Sequence, residues 1–435
     1  MMQRRDLSMI LAGSALGSIA LSSKAQAACT PPCFPLTPTE SAPTIVDYQY
    51  PPGDVRRYGA TGNGITNDQP AIQAAINAAP AGTVVFIPPH VAGAFFKLNN
   101  GLTITKPLRL LGAGAGQTTL NAAGLASGAV VLDIDGTVHP NLEFVELTGL
   151  TLMSDNNSPD LLRVNRASNS AFRDIGLHNG RYGLVITGNR TFSNTYDRVI
   201  CVNTSLNTAV RFLNYTGGGH HTFIGCGFLG GYGLIIESDS SVVGLSLTSC
   251  NFEATTFEAI YSNGLVQGLN INGCRFEKCG GSSDILIDPA VGKSAAGITI
   301  QGCFFETDAA QYVVQFGGSG STVRGFSIAG NYAQDYSSGL VRLNGEGESG
   351  AIVGNRLQNV PAVVNAVRPA VLVANNENQT GKLGASWQPP LVTPTYTVAN
   401  LVVDRSYDVS ATSTAELARV LGSLIADLRV AGLVK

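Results

Sequence analysis

The chain has 435 residues, of which 44% are hydrophobic and only 13% are charged, and its formal net charge is −3. This balance, without a run of basic residues, excludes a surface built for nucleic acid. The 51 glycines indicate many corners at which the backbone needs a positive φ angle. The length is typical of two or three domains, unless the chain extends one core by repeating a small unit.

Residues 1–27 have the features of a signal peptide. The pair Arg4-Arg5 precedes an apolar run, and Ala25-Gln26-Ala27 provides a small-residue cleavage site. The arginine pair is similar to a twin-arginine signal, which exports folded proteins, although an ordinary secretory signal also tolerates two arginines. The apolar run is shorter than the ~20 residues that span a bilayer. We therefore expect an exported protein, periplasmic or extracellular, without a membrane span.

Residues 28–50 are rich in Pro, Thr and Ser, which indicates an exposed leader in which Cys29 and Cys33 could close a small disulfide loop. Residues 51–140 are interpreted as an N-terminal cap and the first coils. Here Asn67 or Asp68 is a candidate cap for a short helix that closes the end of a solenoid. Its apolar face would carry Ile72, Ala75 and Ile76. Gly112, Gly114 and Gly116 lack the βαβ unit of a dinucleotide-binding loop, so they are interpreted as a coil corner.

One short pattern recurs nine times within residues 141–380. Each copy has an apolar residue at its first position, an inward-type residue at its fourth and an apolar residue at its sixth. The copies begin at Leu147, Phe172, Tyr196, Phe223, Leu247, Ile271, Ile300, Ile328 and Ile352. They are 24 to 29 residues apart by subtraction of these numbers, a period typical of stacked coils. Because alternate residues of a strand face opposite sides, the fourth and sixth positions predict the inner wall of a parallel β-helix.

Three stretches near the N-terminus resemble a known family. They are the segment DVRRYGATGNGITND at residues 54–68, AIQAAI at 71–76 and GTVVFIPP at 82–89. Together with the coils, they resemble the pectate-lyase-superfamily domain that pectin-active enzymes, alginate epimerases and phage tailspikes share, over roughly residues 52–380. The resemblance implies an all-β, right-handed parallel β-helix and a polymeric, often acidic sugar as the ligand. The paired-Asp and Gly-His-Gly motifs of polygalacturonases and the Asp-Pro-His motif of alginate epimerases are absent from the sequence, so no catalytic residue transfers.

Glu253, Glu277 and Glu306 occupy the seventh position of three successive copies. On parallel strands ~4.8 Å apart these carboxylates would stack on one another, which is unfavourable unless chemistry or a cation such as Ca²⁺ offsets the repulsion. Adjacent carboxylates at about 5 Å match a retaining glycosidase pair, and alternate ones approach the inverting range. The three are therefore candidate catalytic residues, with no certain cofactor. The alternative is a solvated column of glutamates without a role.

A second candidate group lies two to three coils nearer the N-terminus. Its members are Asp197, Arg198 and His221. The alignment stacks Arg173 on Asp197 and Asp174 on Arg198, with His178 nearby. Such pairs are either ordinary ion pairs, worth ~1 kcal/mol or less when exposed, or a base with its orienting partners. In the second interpretation an Arg or His removes the proton beside a uronate carboxylate, helped by Asp197.

The last part of the chain has a different character. Residues 381–395 form a Gly/Pro linker, and residues 396–435 are interpreted as a strand followed by a helix. Leu417, Leu421, Leu424 and Leu428 have coiled-coil spacing, which predicts a homotrimer through this C-terminal helix. The segment from Asp404 to Asp408 followed by such a helix is similar to the closing segment of phage tail proteins. The alternative is a helix that packs back on the last coil.

Two classes of function are consistent with these features. The first is an exported lyase or glycoside hydrolase that binds an acidic polysaccharide along the solenoid face. The second is a non-catalytic, trimeric carbohydrate-binding or phage-tail-like structural protein. The cysteines do not separate the two, but Cys226, Cys250 and Cys274 share an inward column and are predicted to be free, buried thiols, because the core of a protein exported after folding closes in a reducing compartment.

Overall fold

The computed structural model describes residues 33–378 except 123, 139–141, 156, 204–206, 217, 308–309, 319–320, 346 and 367, and in addition residues 413–414 and 421–422. The predictions for the signal segment, Cys29, the linker 381–395 and the C-terminal segment 396–435 lie outside these residues, apart from the four positions 413–414 and 421–422. The C-terminal helix and the homotrimer therefore stay predictions. Within the described ranges, no helix is both long and apolar enough to cross a bilayer.

The described chain folds as a parallel β-helix of about 11 coils, as the repeats predict. Twenty-two strands form one long sheet in this part of the chain, ten form a second sheet and two form a small third sheet. The long sheet contains Val84–Ile87, Phe96–Lys97, Arg109–Gly112, Thr119–Asn121, Glu146–Met153, Ala171–His178, Asn194–Val202, Gly218–Ile224, Gly227–Leu229, Ser241–Thr248, Asn251–Glu253, Leu265–Asn272, Arg275–Glu277, Ala295–Ala296, Thr299–Gln301, Phe304–Glu306, Val323–Ala329, Tyr332–Gln334, Ser349–Val353, Arg356–Gln358, Val371–Ala374 and Glu377–Asn378. The ten-stranded sheet contains Leu102–Ile104, Val130–Asp135, Asp160–Asn165, Tyr182–Gly188, Thr208–Tyr215, Leu234–Ile236, Ile260–Ser262, Ser283–Ile287, Tyr312–Phe316 and Gly339–Leu343, and the third pairs Leu142–Glu143 with Ala167–Ser168.

The register of the long sheet follows the repeat position by position. Leu147 pairs with Phe172, Phe172 with Tyr196 and Tyr196 with Phe223, and the same first position continues in register to Ile352. The register is strongly specified because a slip by one residue would turn every apolar side chain of a coil to the outside.

Aromatic rings and thiols fill the inner columns. The ring centroids of Phe252 and Phe276 are 4.8 Å apart, and those of Phe276 and Phe305 are 4.6 Å apart. These rings are fully buried, so truncating one to Ala would cost about 3–5 kcal/mol. The free, buried thiols predicted for Cys226, Cys250 and Cys274 are confirmed, and Cys201, Cys279 and Cys303 are free and buried as well. Cys33 is disulfide-bonded.

Asparagines replace the cysteines in the same column near the C-terminal end. Asn355 donates its side-chain amide to the carbonyl of Ile328 at 2.9 Å and to Oδ1 of Asn376 at 2.8 Å. Asn331 makes the equivalent bonds to Ile300 and Asn355. Each buried amide is thus satisfied by the coils on either side of it, as a polar group in a core requires.

The N-terminal helix, Gln69–Ala78, covers the first coil, and 3-10 helices span Ala42–Thr44 and Val55–Tyr58. Ile72, Ala75 and Ile76 are buried on one face as predicted. The predicted cap is corrected in one respect. Asp68 is the residue before the helix, but its carboxylate accepts hydrogen bonds from Thr61 and from the backbone of Gly62 instead of capping the helix. The other candidate, Asn67, accepts a hydrogen bond through Oδ1 from the backbone N–H of Gln69, the first residue of the helix, at 3.3 Å.

The described part of the leader packs against this cap. The buried guanidinium of Arg57 donates to both carboxylate oxygens of Glu40 at 2.7 and 3.0 Å and to the carbonyl of Tyr50 at 2.9 Å. Tyr58 donates its hydroxyl to Glu40 at 2.7 Å. Burial alone would raise the pKa of Glu40, but the hydrogen bonds from Arg57, Thr37 and Tyr58 outweigh it and lower that pKa to about 2. Residues 33–50 are therefore fixed to the solenoid end, unlike the exposed leader that their composition suggests.

Candidate functional site

A cleft of about 620 Å³ opens on the outer face of the long sheet, over its first coils. Its floor follows the fifth position of the repeat, where Thr119, Thr151, Gly176 and Ile200 succeed one another in register. Asp174 and Arg198 line one side, His178 and Met153 the other, and Ala115 and Gly116 one end. A mostly apolar concave surface with a few convergent polar groups, as here, is the common form of a ligand site.

The side formed by Asp174 and Arg198 lies at the corner where each coil bends. We call the third positions of the repeat the corner column. The column continues at Asn375 on the coil after the ninth copy. All ten of these residues have a positive φ angle, and they are Gly149, Asp174, Arg198, Gly225, Ser249, Gly273, Gly302, Gly330, Gly354 and Asn375. Glycine adopts this conformation without cost, whereas other residues lose roughly 1–2 kcal/mol. Asp174 and Arg198, both at φ 52°, place charged side chains beside the cleft at this cost.

Asp174 and Arg198 bond to each other across adjacent coils. Arg198 donates Nε and Nη2 to the two carboxylate oxygens of Asp174 at 2.6 and 3.0 Å, and Nη1 to Asp197 at 3.0 Å. The hydrogen bond from Arg198 lowers the pKa of Asp174, and the bond to Asp174 raises the pKa of Arg198. Both groups are therefore ionised at neutral pH. Arg173 reaches Glu146 at 3.0 Å, although it stacks on Asp197 in register as predicted.

His178 is the one titratable base among the residues that line the cleft. Its Nε2 lies 3.3 Å from the point that a β-carbon on Gly176 would occupy, so the imidazole edge faces the floor. The same β-carbon would approach the hydroxyl oxygen of Thr151 to 2.7 Å, so a side chain at residue 176 would fill the cleft. Burial lowers the pKa of His178, and the ring is neutral and able to accept a proton at pH 7.

The glutamate column is in register as predicted, since Glu253 pairs with Glu277 and Glu277 with Glu306. It lies on the same face as the cleft, but His178, Val202, Leu229 and Glu253 succeed one another in one column. Three coil spacings, ~14 Å, therefore separate His178 from the nearest glutamate. Glu277 forms an ion pair with Arg275 at 2.6 Å, and Glu253 accepts from Asn251 at 3.1 Å. The two candidate groups are not one site.

His221 lies in the core, which corrects its placement with Asp197 and Arg198 on the outer face. Its side chain is fully buried, and Nε2 lies 3.0 Å from the hydroxyl of Tyr215 and 3.2 Å from the carbonyl of Thr191. His221 pairs with Asn194 in register, and alternation along its strand turns 221 and 223 to the same, inner side. A ligand on the outer face cannot reach it.

Within the described ranges, no three His, Cys, Asp or Glu side chains converge as they would around a metal ion. The glutamate column extends its carboxylates along the coils and does not bring them to a common centre; Glu253 and Glu277 each contact a residue of their own coil. The arrangement gives no support for a Ca²⁺ site.

Sequence reasoning did not identify three parts of the cleft. Gly176 forms the floor, and residues 113–118 form the end wall. His178 lines the cleft, although the sequence analysis placed it only near the second candidate group. Each left a signal. Gly176 is a glycine at a floor position where later coils carry Arg275, Phe304 and Tyr332, and the insertion 113–118 lengthens one corner.

The family model for rhamnogalacturonase A/epimerase, pectate lyase-like proteins matches residues 54–281, more than half of the 435 residues. The chain belongs to this family. The match starts at the N-terminal cap and includes every residue that lines the cleft. The family membership confirms the resemblance to the pectate-lyase superfamily. No curated protein matches the sequence.

Several solved structures are similar to this pectate-lyase-like chain. ORF18 of Geobacillus virus E2 has 18% identity and a TM-score of 0.49, with 75% of this chain matching 60% of that one. PfbA, a surface adhesin of Streptococcus pneumoniae, has 14% identity and a TM-score of 0.50, with coverages of 76% and 92%. The gp42 tailspike of Acinetobacter phage vb_AbaP_AS12 has 12% identity and a TM-score of 0.46, with coverages of 75% and 61%. The chain thus spans less than two thirds of either phage protein, and these identities concern the fold alone.

Proposed function

We propose that this protein is an exported polysaccharide lyase that cleaves an acidic polysaccharide in the cleft between Arg198 and His178. The observation that carries the proposal is the strained corner, where Asp174 and Arg198 accept positive φ angles at the only described place where charged side chains of the corner column line a cleft. Backbone strain of this kind is concentrated at functional sites. The family name supports a uronate-containing polymer as the substrate class.

The ionisation states favour elimination over hydrolysis. A glycoside hydrolase needs a carboxylic acid that is protonated at neutral pH, but Asp174, the carboxyl group that lines the cleft, has a lowered pKa. A lyase needs a neutral base and a cation for the uronate carboxylate. His178 has the first property and Arg198 the second. Asp174 and Asp197 hold Arg198 in place and act as positioning residues.

In this mechanism His178 removes the proton from the carbon beside the uronate carboxylate. The electron pair forms a carbon–carbon double bond, and the bond to the glycosidic oxygen breaks. The leaving oxygen takes a proton from solvent, and His178 later returns its proton to solvent. Arg198 stabilises the charge that develops on the carboxylate as the proton leaves.

The test incubates the protein with a panel of uronate polymers and measures unsaturated ends by absorbance and new reducing ends separately. His178→Gln should lower turnover by about 10²-fold or more. Arg198→Gly should lose turnover while the protein folds, because glycine suits the corner. Ser249→Gly is the matched control, with the same relief of φ on a coil outside the cleft. Wild-type turnover in both cleft variants would refute the proposal.

The same assay separates the alternatives. Reducing ends without unsaturated ends, lost in Glu277→Gln, would indicate a hydrolase that uses Glu253, Glu277 and Glu306. Binding of a polymer without either product would indicate a non-catalytic carbohydrate-binding protein.

A further inference from the structure

We propose that the cleft accepts the end of a polysaccharide chain and not its interior, so that cleavage is exolytic. This inference rests on the proposed function. It follows from one insertion, which we call the end loop, residues 113–118.

The end loop lengthens a single corner. Leu111 pairs with Thr148, and Thr119 pairs with Thr151. Seven residues, 112–118, lie between the first members of these pairs, whereas two residues, Gly149 and Leu150, lie between their partners. The extra chain cannot enter the filled core, so it projects outward. The loop lies on the coil that precedes the corner residues Gly149 and Asp174. Its residues Ala115 and Gly116 are exposed and line the cleft.

The loop is fixed to the coils around it. Gly114 donates its backbone N–H to the carbonyl of Gly149 at 2.8 Å, and Gly116 donates to the Thr151 hydroxyl at 3.1 Å. Thr118 donates its hydroxyl to the carbonyls of Ile87 and Pro88 at 3.1 Å. A loop held on both sides acts as a wall and not as a lid, because opening it would leave these groups without partners.

Further chain stands behind the end loop. His90 donates its N–H to the carbonyl of Gln117 at 2.9 Å, Val91 donates to Gly62 at 3.0 Å, and Gly64 donates to Phe95 at 2.9 Å. The capping loops around residues 62–64 and 90–95 are therefore bonded to each other and to the far side of the end loop. A glycan chain lying on the floor of the cleft cannot pass in that direction.

The opposite direction is open. Beyond Ile200 the floor position is Gly227, and beyond Arg198 the corner residue is Gly225. Neither glycine projects a side chain across the face. The floor between the end loop and His178 is two coil spacings long, ~10 Å, which accommodates a chain end. The remainder of the polymer must leave toward Glu253. It passes over coils whose corner residues, Ser249, Gly273 and Gly302, have a small side chain or none.

The wild-type experiment follows product size and viscosity on the uronate polymer that is cleaved. An exolytic enzyme releases one short product from the start, and viscosity falls slowly per bond broken. A broad ladder of products at the first time points would overturn the inference while leaving the lyase proposal intact. The absence of products from every polymer in the panel would overturn both.

The decisive variant deletes residues 113–117. Leu111 and Thr119 are then separated by two residues, as Thr148 and Thr151 are on the next coil. We expect internal cleavage, with the loss of viscosity per bond broken increased at least about tenfold, since the polymer can now pass through the site. An unchanged short product from the folded deletion variant would overturn the inference.

A point variant covers the case in which the deletion prevents folding. Ala115→Trp adds a ring to the wall and should shorten the released product or lower turnover at least about tenfold by displacing the chain end. Val291→Trp, at a position that is 87% exposed and remote from the cleft, is the matched control. Equal rates and products in the two variants would overturn the inference.

Discussion

His221→Leu is a sharp test of the core, because it separates a structural histidine from a catalytic one. The side chain is fully buried, and burial lowers its pKa from the ordinary 6.5 to about 4. Leucine is a matched replacement, since the next coil carries Leu245 at the paired position. The carbonyl of Thr191 keeps a partner in the variant, because Tyr215 donates its hydroxyl to it at 2.7 Å.

The magnitude follows from proton linkage. Between pH 6.5 and pH 4 the imidazole of the unfolded chain binds a proton and that of the folded chain does not, so stability falls as the pH falls. The difference of about 2.5 in pKa corresponds to about 3 kcal/mol of unfolding free energy, all of it lost by pH 4 and regained above pH 6.5. The free-energy difference between wild type and His221→Leu should change by this amount over that window.

The assay is urea unfolding at half-unit pH steps from 4 to 7.5, with His220→Asn as the control. His220 is exposed at a positive φ angle that asparagine tolerates, so this change should leave the slope of the wild type almost intact. Parallel stability curves for wild type and His221→Leu would refute the reasoning, because they would mean that the imidazole titrates in the folded state as it does in water. Loss of turnover in a folded His221→Leu would refute its assignment to the core alone.

Three further predictions concern buried groups. Arg57→Met leaves the carboxylate of Glu40 buried and unpaired, so the urea midpoint should fall by the equivalent of about 3–5 kcal/mol, and an unchanged midpoint would contradict the anchored leader. Asp284 is fully buried and accepts a hydrogen bond from Tyr336, and burial raises its pKa well above 3.8. The folded state therefore loses stability as the pH rises above 3.8. Asp284→Asn should raise the melting temperature at pH 7, and this gain should shrink toward pH 4. Alkylation before and after unfolding should label the six inner cysteines only in the unfolded chain, and mass spectrometry that finds a disulfide among them would contradict the free thiols.

The sequence was sufficient for the β-helix because its signal is repeated and physical. Each coil must present apolar residues to the same core, so the columns from Leu147 to Ile352 can be aligned from the sequence alone, and the paired strands follow that alignment. The outward stacking of Glu253, Glu277 and Glu306 could be predicted for the same reason. Position in a column follows from alternation along a strand.

The errors arose where alternation was not carried far enough or where contacts are distant in sequence. His221 lies two residues before the inward Phe223, so alternation assigns it to the core. The adjacent His220 faces the other side, and treating the two histidines as one group hid this difference. The leader could not be placed from composition, because the ion pair between Arg57 and Glu40 joins residues that are 17 positions apart. Nor can a motif search find the cleft, because its depth comes from the absent side chain of Gly176.

The cleft lies where one coil reverses an arrangement that four later coils share. In the coils with Gly273, Gly302, Gly330 and Gly354, a glycine occupies the corner and a side chain occupies the floor, as in Gly273 with Arg275 and Gly302 with Phe304. This order stabilises the coil, because glycine adopts the positive φ angle of the corner without strain and a residue with a side chain is better suited than glycine to the strand. The coil with Asp174 at the corner and Gly176 on the floor reverses it, and each exchange costs stability. We infer that a ligand, and not folding, accounts for a reversal that destabilises the coil and creates a cavity beside an ionised pair and a neutral imidazole, since local rules are broken in this way at functional sites.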